Sequence, residues 1–379
     1  MMFRQVYLDY AASTPTAQEA FEAMLPYLRD KYGNASSTHA RGRELRTAIE
    51  QARRQIAELI GASPAEIIFT SGGTEADNQA LCAGYDHIVT SPLEHHAVLH
   101  AAQRMERLGL SQTRYLTPES DGSLSLQELE TILDELRGKR VLVSLMHVNN
   151  EIGYVYDIEA FAEAAKARGA DFHSDMVQSF GHFRAELNRS KVDYAAAAAH
   201  KFYGPKGVGF LYAKSPIAPL ICGGAQERNV RAGTENVAGI MGMAAALKLT
   251  YERLEENENH YRKLRDYFWG KLKETFPGVR INGDPNRCMP ATLNVAFPIE
   301  DDEPTLLMHL DIRGVCASGG SACSSGSVKP SHVLSAMGMS SKRIAASVRF
   351  SFGRETTIED LDYVVECLRS IVGQPAWAR

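Results

Sequence analysis

Residues 66–75 read Glu66-Ile67-Ile68-Phe69-Thr70-Ser71-Gly72-Gly73-Thr74-Glu75. After the Ser63-Pro64 break, Glu66 to Thr70 has the apolar run of a short strand, and Thr74 to Ala83 has the spacing of a helix. Between them Gly72-Gly73 lets the backbone approach a ligand, and the helix start offers unpaired N–H groups to an anion. An ordinary capped turn would read the same way. Working outward, the alternation repeats. Ala40 to Ile60 is an amphipathic helix, with Leu45, Ile49, Ala52, Ile56 and Leu59 three or four residues apart. His87 to Ser91, Val141 to Met146, Asp171 to Ser174 and Val192 to Ala197 read as strands. Ala97 to Leu108, Ser125 to Arg137 and Ile158 to Arg168 read as helices, the second capped by Ser125 with Glu128 three residues on. Alternation of this kind makes an α/β fold, a mostly parallel sheet with helices on both faces.

A long helical stretch, Asn236 to about Thr275, carries Tyr251, Leu254, Tyr261, Leu264 and Phe268 on one face. After Pro277-Gly278 the pattern restarts on a smaller scale. Ala291 to Phe297, Val315 to Ser318 and Ser347 to Phe352 read as strands, and Pro304 to Ile312 and Ile358 to Val372 as helices. This predicts a smaller α+β C-terminal domain, with a boundary within 235–280.

Composition narrows the function. The chain has 379 residues, 44% hydrophobic and 23% charged, as a globular protein of two or three domains would. Lys and Arg total 41 against 46 Asp and Glu, a net −5, which argues against binding led by nucleic-acid phosphates. No run approaches the ~20 apolar residues of a membrane helix. The opening Met1 to Asp9 has no apolar core ahead of its first acid, so no secretory leader is expected. The six cysteines, Cys82, Cys222, Cys288, Cys316, Cys323 and Cys367, form no C-x-x-C pair. Reduced thiols in a cytoplasmic enzyme are the expectation.

In open α/β sheets ligands bind beyond the carboxyl ends of the strands. Four polar clusters follow predicted strands: Thr70 to Glu75, Met146 to Glu151, His173 to Gln178, and Ala195 to Pro205. The second offers Asn150, an amide that could bond a ligand oxygen or simply close a turn. The third offers Asp175. A carboxyl at a buried strand end needs a partner, which a cationic ring nitrogen, a structural Arg or a helix N-cap could supply. The fourth places Lys201 after five alanines, where desolvation makes it a nucleophile or base, against the alternative of a snorkelling surface lysine. An anion cradle, an Asp, amide donors and a desolvated Lys together match the needs of pyridoxal 5′-phosphate.

The ordered motifs then become specific. They run from Tyr7-Leu8-Asp9-Tyr10-Ala11-Ala12 through Gly33-Asn34-Ala35-Ser36-Ser37, Ser71-Gly72-Gly73-Thr74-Glu75 and Glu94-His95-His96-Ala97-Val98. Val148-Asn149-Asn150-Glu151-Ile152-Gly153, His200-Lys201 and Arg231-Ala232-Gly233-Thr234-Glu235-Asn236 follow. Gly320-Ser321-Ala322-Cys323-Ser324-Ser325 and Val348-Arg349-Phe350-Ser351-Phe352-Gly353-Arg354 complete the set. Over nearly its whole length the chain resembles the cysteine desulfurases, pyridoxal-phosphate enzymes of fold type I in the class V aminotransferase superfamily.

The resemblance implies an aspartate-aminotransferase-like architecture with a seven-stranded sheet. We divide the chain into a larger cofactor-binding domain, 15–255, and a smaller one from 1–14 and 256–379. By resemblance, Lys201 joins the cofactor covalently, His95 stacks on its ring and moves protons, and Asp175 pairs with the ring nitrogen. Gln178 and Asn150 serve the phenolic oxygen, Asn150 also the substrate carboxylate. Gly73, Thr74 and His200 hold the phosphate, and Thr234 reaches the phosphate of the partner subunit in a homodimer. Arg349 clamps the carboxylate of L-cysteine, with Arg354 as its rival. Cys323, on a loop of small residues, takes the sulfur as a persulfide for an acceptor protein such as an iron–sulfur scaffold. Cys82, Cys222 and Cys367 read as buried packing residues, Cys316 as structural, and Cys288 stays open. His96 and His100 have metal-pair spacing but no evident third ligand, so no metal is expected. Two departures stand out: Ala198 where the family usually carries a phosphate-binding Ser, and Ala35 for Pro. A selenocysteine lyase, a cysteine sulfinate desulfinase or another class V aminotransferase-like enzyme is the alternative reading.

Overall fold

Strand Ile67–Thr70 stands at one edge of a seven-stranded sheet in the computed structural model, which describes residues 4–299, 306–319 and 330–372. Across the sheet the order is Ile67–Thr70, Gly209–Ala213, Tyr194–Ala198, Asp171–Asp175, Val141–Ser144, His87–Thr90 and Gln112–Tyr115. Gly209–Ala213 runs antiparallel to both neighbours, and the other pairs are parallel. The expected α/β fold with a mostly parallel sheet is therefore what the chain adopts.

Side-chain alternation along Tyr194–Ala198 shows why both sheet faces are covered. Ala195 and Ala197 join a core with Leu45, Ile49 and Ile56 of helix Ala40–Leu59. Ala196, between them, joins the opposite core with Ala76 and Ala80 of helix Gly73–Leu81. With period-2 alternation, small residues on both faces let helices approach the strand closely from either side. A third apolar cluster combines Tyr261, Leu264 and Phe268 with Val295, Val348, Phe350 and Leu361, and with Val6 and Leu8 from the start of the chain. Its strands Arg280–Ile281, Thr292–Ala296 and Ser347–Ser351 form an antiparallel sheet.

Several elements differ from the sequence expectation. The long helix is two, Val237–Glu252 and Leu254–Thr275, broken at Arg253. The break separates their burial: Tyr251 packs in the first core, while Tyr261, Leu264 and Phe268 pack in the third. Gln112–Tyr115 was not expected, because this edge strand is polar and mostly exposed. Gly209–Ala213 is wholly buried and too short to show a period. Helix Gln18–Arg29 was also missed. It contains Pro26, which is a helix breaker by rule. It packs closely at Gly242, where an added Cβ would stand 2.7 Å from Met24 Sδ. Of the expected helix Pro304 to Ile312, Leu306–Ile312 is described. Among the described helices none is long and apolar enough to cross a membrane.

Candidate active site

The polar clusters converge where the sequence placed them, beyond the carboxyl ends of the central strands. A cavity of about 180 Å³ is lined by Gly73, Thr74, His95, Asn150, Asp175, Gln178, His200, Lys201 and Arg349, together with Ala11, Ala12, Asp77 and Ala198. Lys201 ends a 3₁₀ turn, Ala199–Lys201, that directly follows strand Tyr194–Ala198. Its Nζ donates to the carbonyls of Ala11 at 2.5 Å and Ala12 at 2.9 Å. The N-terminal segment thus holds the amine inside the cavity, and the snorkelling alternative fails.

Asp175 closes strand Asp171–Asp175, is 6% exposed, and accepts the Val177 N–H at 2.9 Å. Burial pushes its carboxyl up, opposed by His95, that N–H and Lys201. His95 is the N-cap of helix His96–Arg107, its Nδ1 accepting the Ala97 N–H at 3.2 Å. In the neutral ring that bond leaves the exchangeable proton on Nε2. The capping role and the cavity-lining role therefore coexist. His200 is held neutral, its pKa lowered to about 4 by burial first and then by Lys201 and Lys206. Gln178 donates Nε2 to the Ala11 carbonyl at 2.9 Å. Gly73 is the first residue of its helix, and a Cβ there would meet Val177 Cγ2 at 2.4 Å, so bare backbone faces the cavity.

Arg349 is 1% exposed. Its Nη2 donates to Asp9 Oδ1 and its Nη1 to the Asn150 carbonyl, both at 2.6 Å. Arg354 instead stacks over Tyr203 and donates to Thr250 Oγ1, outside the cavity lining. Thr234 also lies elsewhere, in a second cavity with Ser71 and Arg231. It therefore does not join the cavity of its own chain. Cys323 lies outside the described residues.

Sequence reading missed two acids. Asp9 orients Arg349, and the Tyr7-Leu8-Asp9-Tyr10 motif held that signal. Asp77 lines the cavity from one helical turn beyond Gly73, a placement visible only once the helix start is fixed. Two cysteine readings need correction: Cys82 packs on its core but is only half-buried. Cys222 is exposed rather than buried, because it stands in an irregular segment with exposed Ile221 and Gly223 around it. Cys288 settles as a packing thiol beside the Thr292 carbonyl, its pKa pushed to about 11 by burial. His332 stacks on His96 with ring centroids 4.5 Å apart, a third imidazole that spacing did not reveal. Among the described residues, however, no three such side chains are arranged to hold a metal ion.

A class of protein follows from this geometry: a doubly covered α/β sheet whose carboxyl edge holds a lysine, a buried aspartate and a bare helix start in one cavity. The family model for aminotransferase class-V matches residues 6–364. A cysteine desulfurase IscS of Dictyoglomus turgidum is 46% identical, with 98% of this chain and 95% of that protein covered. A putative cysteine desulfurase IscS 1 of Bacillus subtilis is 42% identical, with 97% and 98% covered. Among solved structures, a NifS-like protein superposes with a TM-score of 0.89 at 35% identity, with 97% of this chain and 99% of that one covered. SspA in complex with cysteine gives 0.80 at 34% identity, covering 91% and 98%. The chain belongs to the aminotransferase class-V family, among its cysteine desulfurases.

That family uses pyridoxal 5′-phosphate, and the residues present fit it. The buried Asn150 Oδ1 has no hydrogen-bond partner in the structure, as expected of an amide awaiting a ligand. The bare helix start at Gly73 suits the phosphate, and Asp175 suits a cationic ring nitrogen.

Proposed function

We propose that the chain removes sulfur from L-cysteine, releases L-alanine, and carries the sulfur on Cys323 as a persulfide for an acceptor protein. The observation that carries this reading is the convergence of Lys201, Asp175, His95 and Arg349 on one cavity. Bound pyridoxal phosphate supplies an electron sink for the substrate's Cα carbanion. Gly73, Thr74 and His200 would hold its phosphate, Asp175 its ring nitrogen, and Asn150 and Gln178 its phenolic oxygen. Arg349, preset by Asp9, receives the substrate carboxylate. Lys201 Nζ takes the Cα proton. The Cys323 thiolate then attacks the substrate sulfur. The Cβ–S bond breaks, its electron pair passes to Cβ, Cβ takes a proton, and the proton held on Lys201 returns to Cα as alanine forms.

The same reading makes the protein a cytoplasmic homodimer in which Thr234 of each chain reaches the other's phosphate. It keeps the division into a domain of 15–255 and one of 1–14 with 256–379. An iron–sulfur scaffold is the acceptor it favours. The test compares Cys323→Ser on two substrates. Loss of desulfurase activity with the cofactor retained supports the reading, and full activity on L-cysteine refutes it. Activity kept on L-selenocysteine alone would mark the lyase alternative as a side activity of the same cavity.

A further inference from the structure

The cavity that contains Asp175 is also lined by a second carboxyl, Asp77, which none of the roles above uses. Asp77 lies on helix Gly73–Leu81 and is 1% exposed. Its Oδ1 stands 3.4 Å from Nε2 of His173, and neither of these buried atoms has a hydrogen-bond partner in the structure. His173 precedes Asp175 by two residues on the same strand, so the two side chains share a sheet face. The other imidazole nitrogen, Nδ1, is 2.8 Å from Ser144 Oγ on the adjacent strand. The three side chains make a continuous buried line from the cavity wall into the sheet.

The surroundings decide where the protons sit. The charged groups acting on Asp77 are Asp175 and Glu94, both acids and both buried. His95 and Lys201 act on Asp175. His173 is no counter-cation, since complete burial holds it neutral with its pKa near 3. Neighbouring carboxyls in a dry site cannot all ionise. Asp175 has the Lys201 cation and the Val177 N–H, and Asp77 has only a neutral imidazole.

We propose that Asp77 is a positioning residue whose carboxyl keeps its proton, directs it to His173 Nε2, and so leaves Asp175 the single anion facing the cofactor's ring nitrogen. Ser144 Oγ, 2.8 Å from His173 Nδ1, accepts Nδ1–H in the tautomer this requires, the one whose Nε2 is an acceptor. The inference rests on the pairing of Asp175 with the ring nitrogen proposed above.

The test uses the cofactor-loaded enzyme at pH 8, where exposed carboxyls are ionised. Infrared spectra of protein carrying side-chain ¹³C-labelled aspartate should show a protonated aspartic acid carbonyl that shifts with the label. The label separates it from Glu94. The band should vanish in Asp77→Asn. The pH midpoint of the bound cofactor's visible absorbance in that variant should stay within about 0.3 unit of the parent, because one neutral group replaces another. An absent band would overturn the proposal. So would a midpoint lowered by about one unit or more in Asp77→Asn, the mark of an anion removed. If Asp77→Asn does not fold, a labelled band that persists in Asp175→Asn supports the proposal and the absence of any labelled band in the unsubstituted enzyme overturns it. Asp175→Asn tests the underlying reading separately: an unchanged cofactor spectrum there refutes the ring pairing, whatever the state of Asp77.

Discussion

Ala198→Ser should tighten cofactor binding. Ala198 ends strand Tyr194–Ala198, is 3% exposed, and lines the cavity beside Gly73, Thr74 and His200. Its backbone, φ −135° and ψ 122°, suits serine as well as alanine. Its side chain is close to the bare helix start: a Cβ built on Gly73 would stand 3.8 Å from the Ala198 Cβ. A hydroxyl bonded to a phosphate gains about 1.5–3 kcal/mol, less what its own desolvation removes. A net gain of ~1 kcal/mol remains, about a five-fold lower Kd. Without cofactor the same hydroxyl is buried with no anion to bond, so the apoprotein should melt lower than its parent. The assay is titration of apoprotein with pyridoxal phosphate, paired with melting curves of both forms. Unchanged or weaker binding in Ala198→Ser would refute the placement of the phosphate at this helix start.

Other outcomes follow from the same structure. Arg349→Lys should lower kcat/KM for L-cysteine by about ten- to a hundred-fold, because a point charge replaces a planar fork preset by Asp9; an unchanged value would move the carboxylate site elsewhere. Glu227→Gln should cost about 3–5 kcal/mol in denaturant melts. Its carboxylate takes both Arg53 Nη groups and the Phe69 N–H, and it opens a run of three left-handed residues, Glu227, Arg228 and Asn229. Glu94 has a raised folded pKa, about 8, chiefly from burial, so its contribution is full below the unfolded carboxyl pKa and is lost as pH rises toward 8. Glu94→Gln should flatten the fall of Tm over that window. His147, His182 and His200 are depressed to about 4, so their contribution is present above ~6.5 and lost as pH falls toward 4; Tm measured from pH 7 to 4 should fall accordingly.

Most of the fold was legible because the parallel strands and amphipathic helices have strong, separate periods. Helix Ala40–Leu59 shows this with its stripe of Leu45, Ile49, Ala52 and Ile56. The elements that escaped lack such a signal: a polar edge strand at Gln112–Tyr115 and a proline-bearing helix at Gln18–Arg29. The fused reading of 236–275 failed for another reason. Helical spacing continues across Arg253 while the burying partner changes from one core to another, and one-dimensional spacing carries no partner. In the site, groups just after strands were readable from position alone, as with Asp175 and Lys201. Groups that arrive from distant segments were not. The Ala11 carbonyl on Lys201, Asp9 on Arg349 and Asp77 beside His173 depend on tertiary approach.

The most direct measurement incubates the loaded enzyme with L-cysteine, quantifies alanine, and maps sulfur-adducted cysteines by mass spectrometry. The account predicts one alanine per persulfide in the first turnover, with the added sulfur on Cys323 and on none of the packed thiols Cys82, Cys288 or Cys367. Alanine formed with Cys323 unmodified, or the sulfur found on another cysteine, would contradict it.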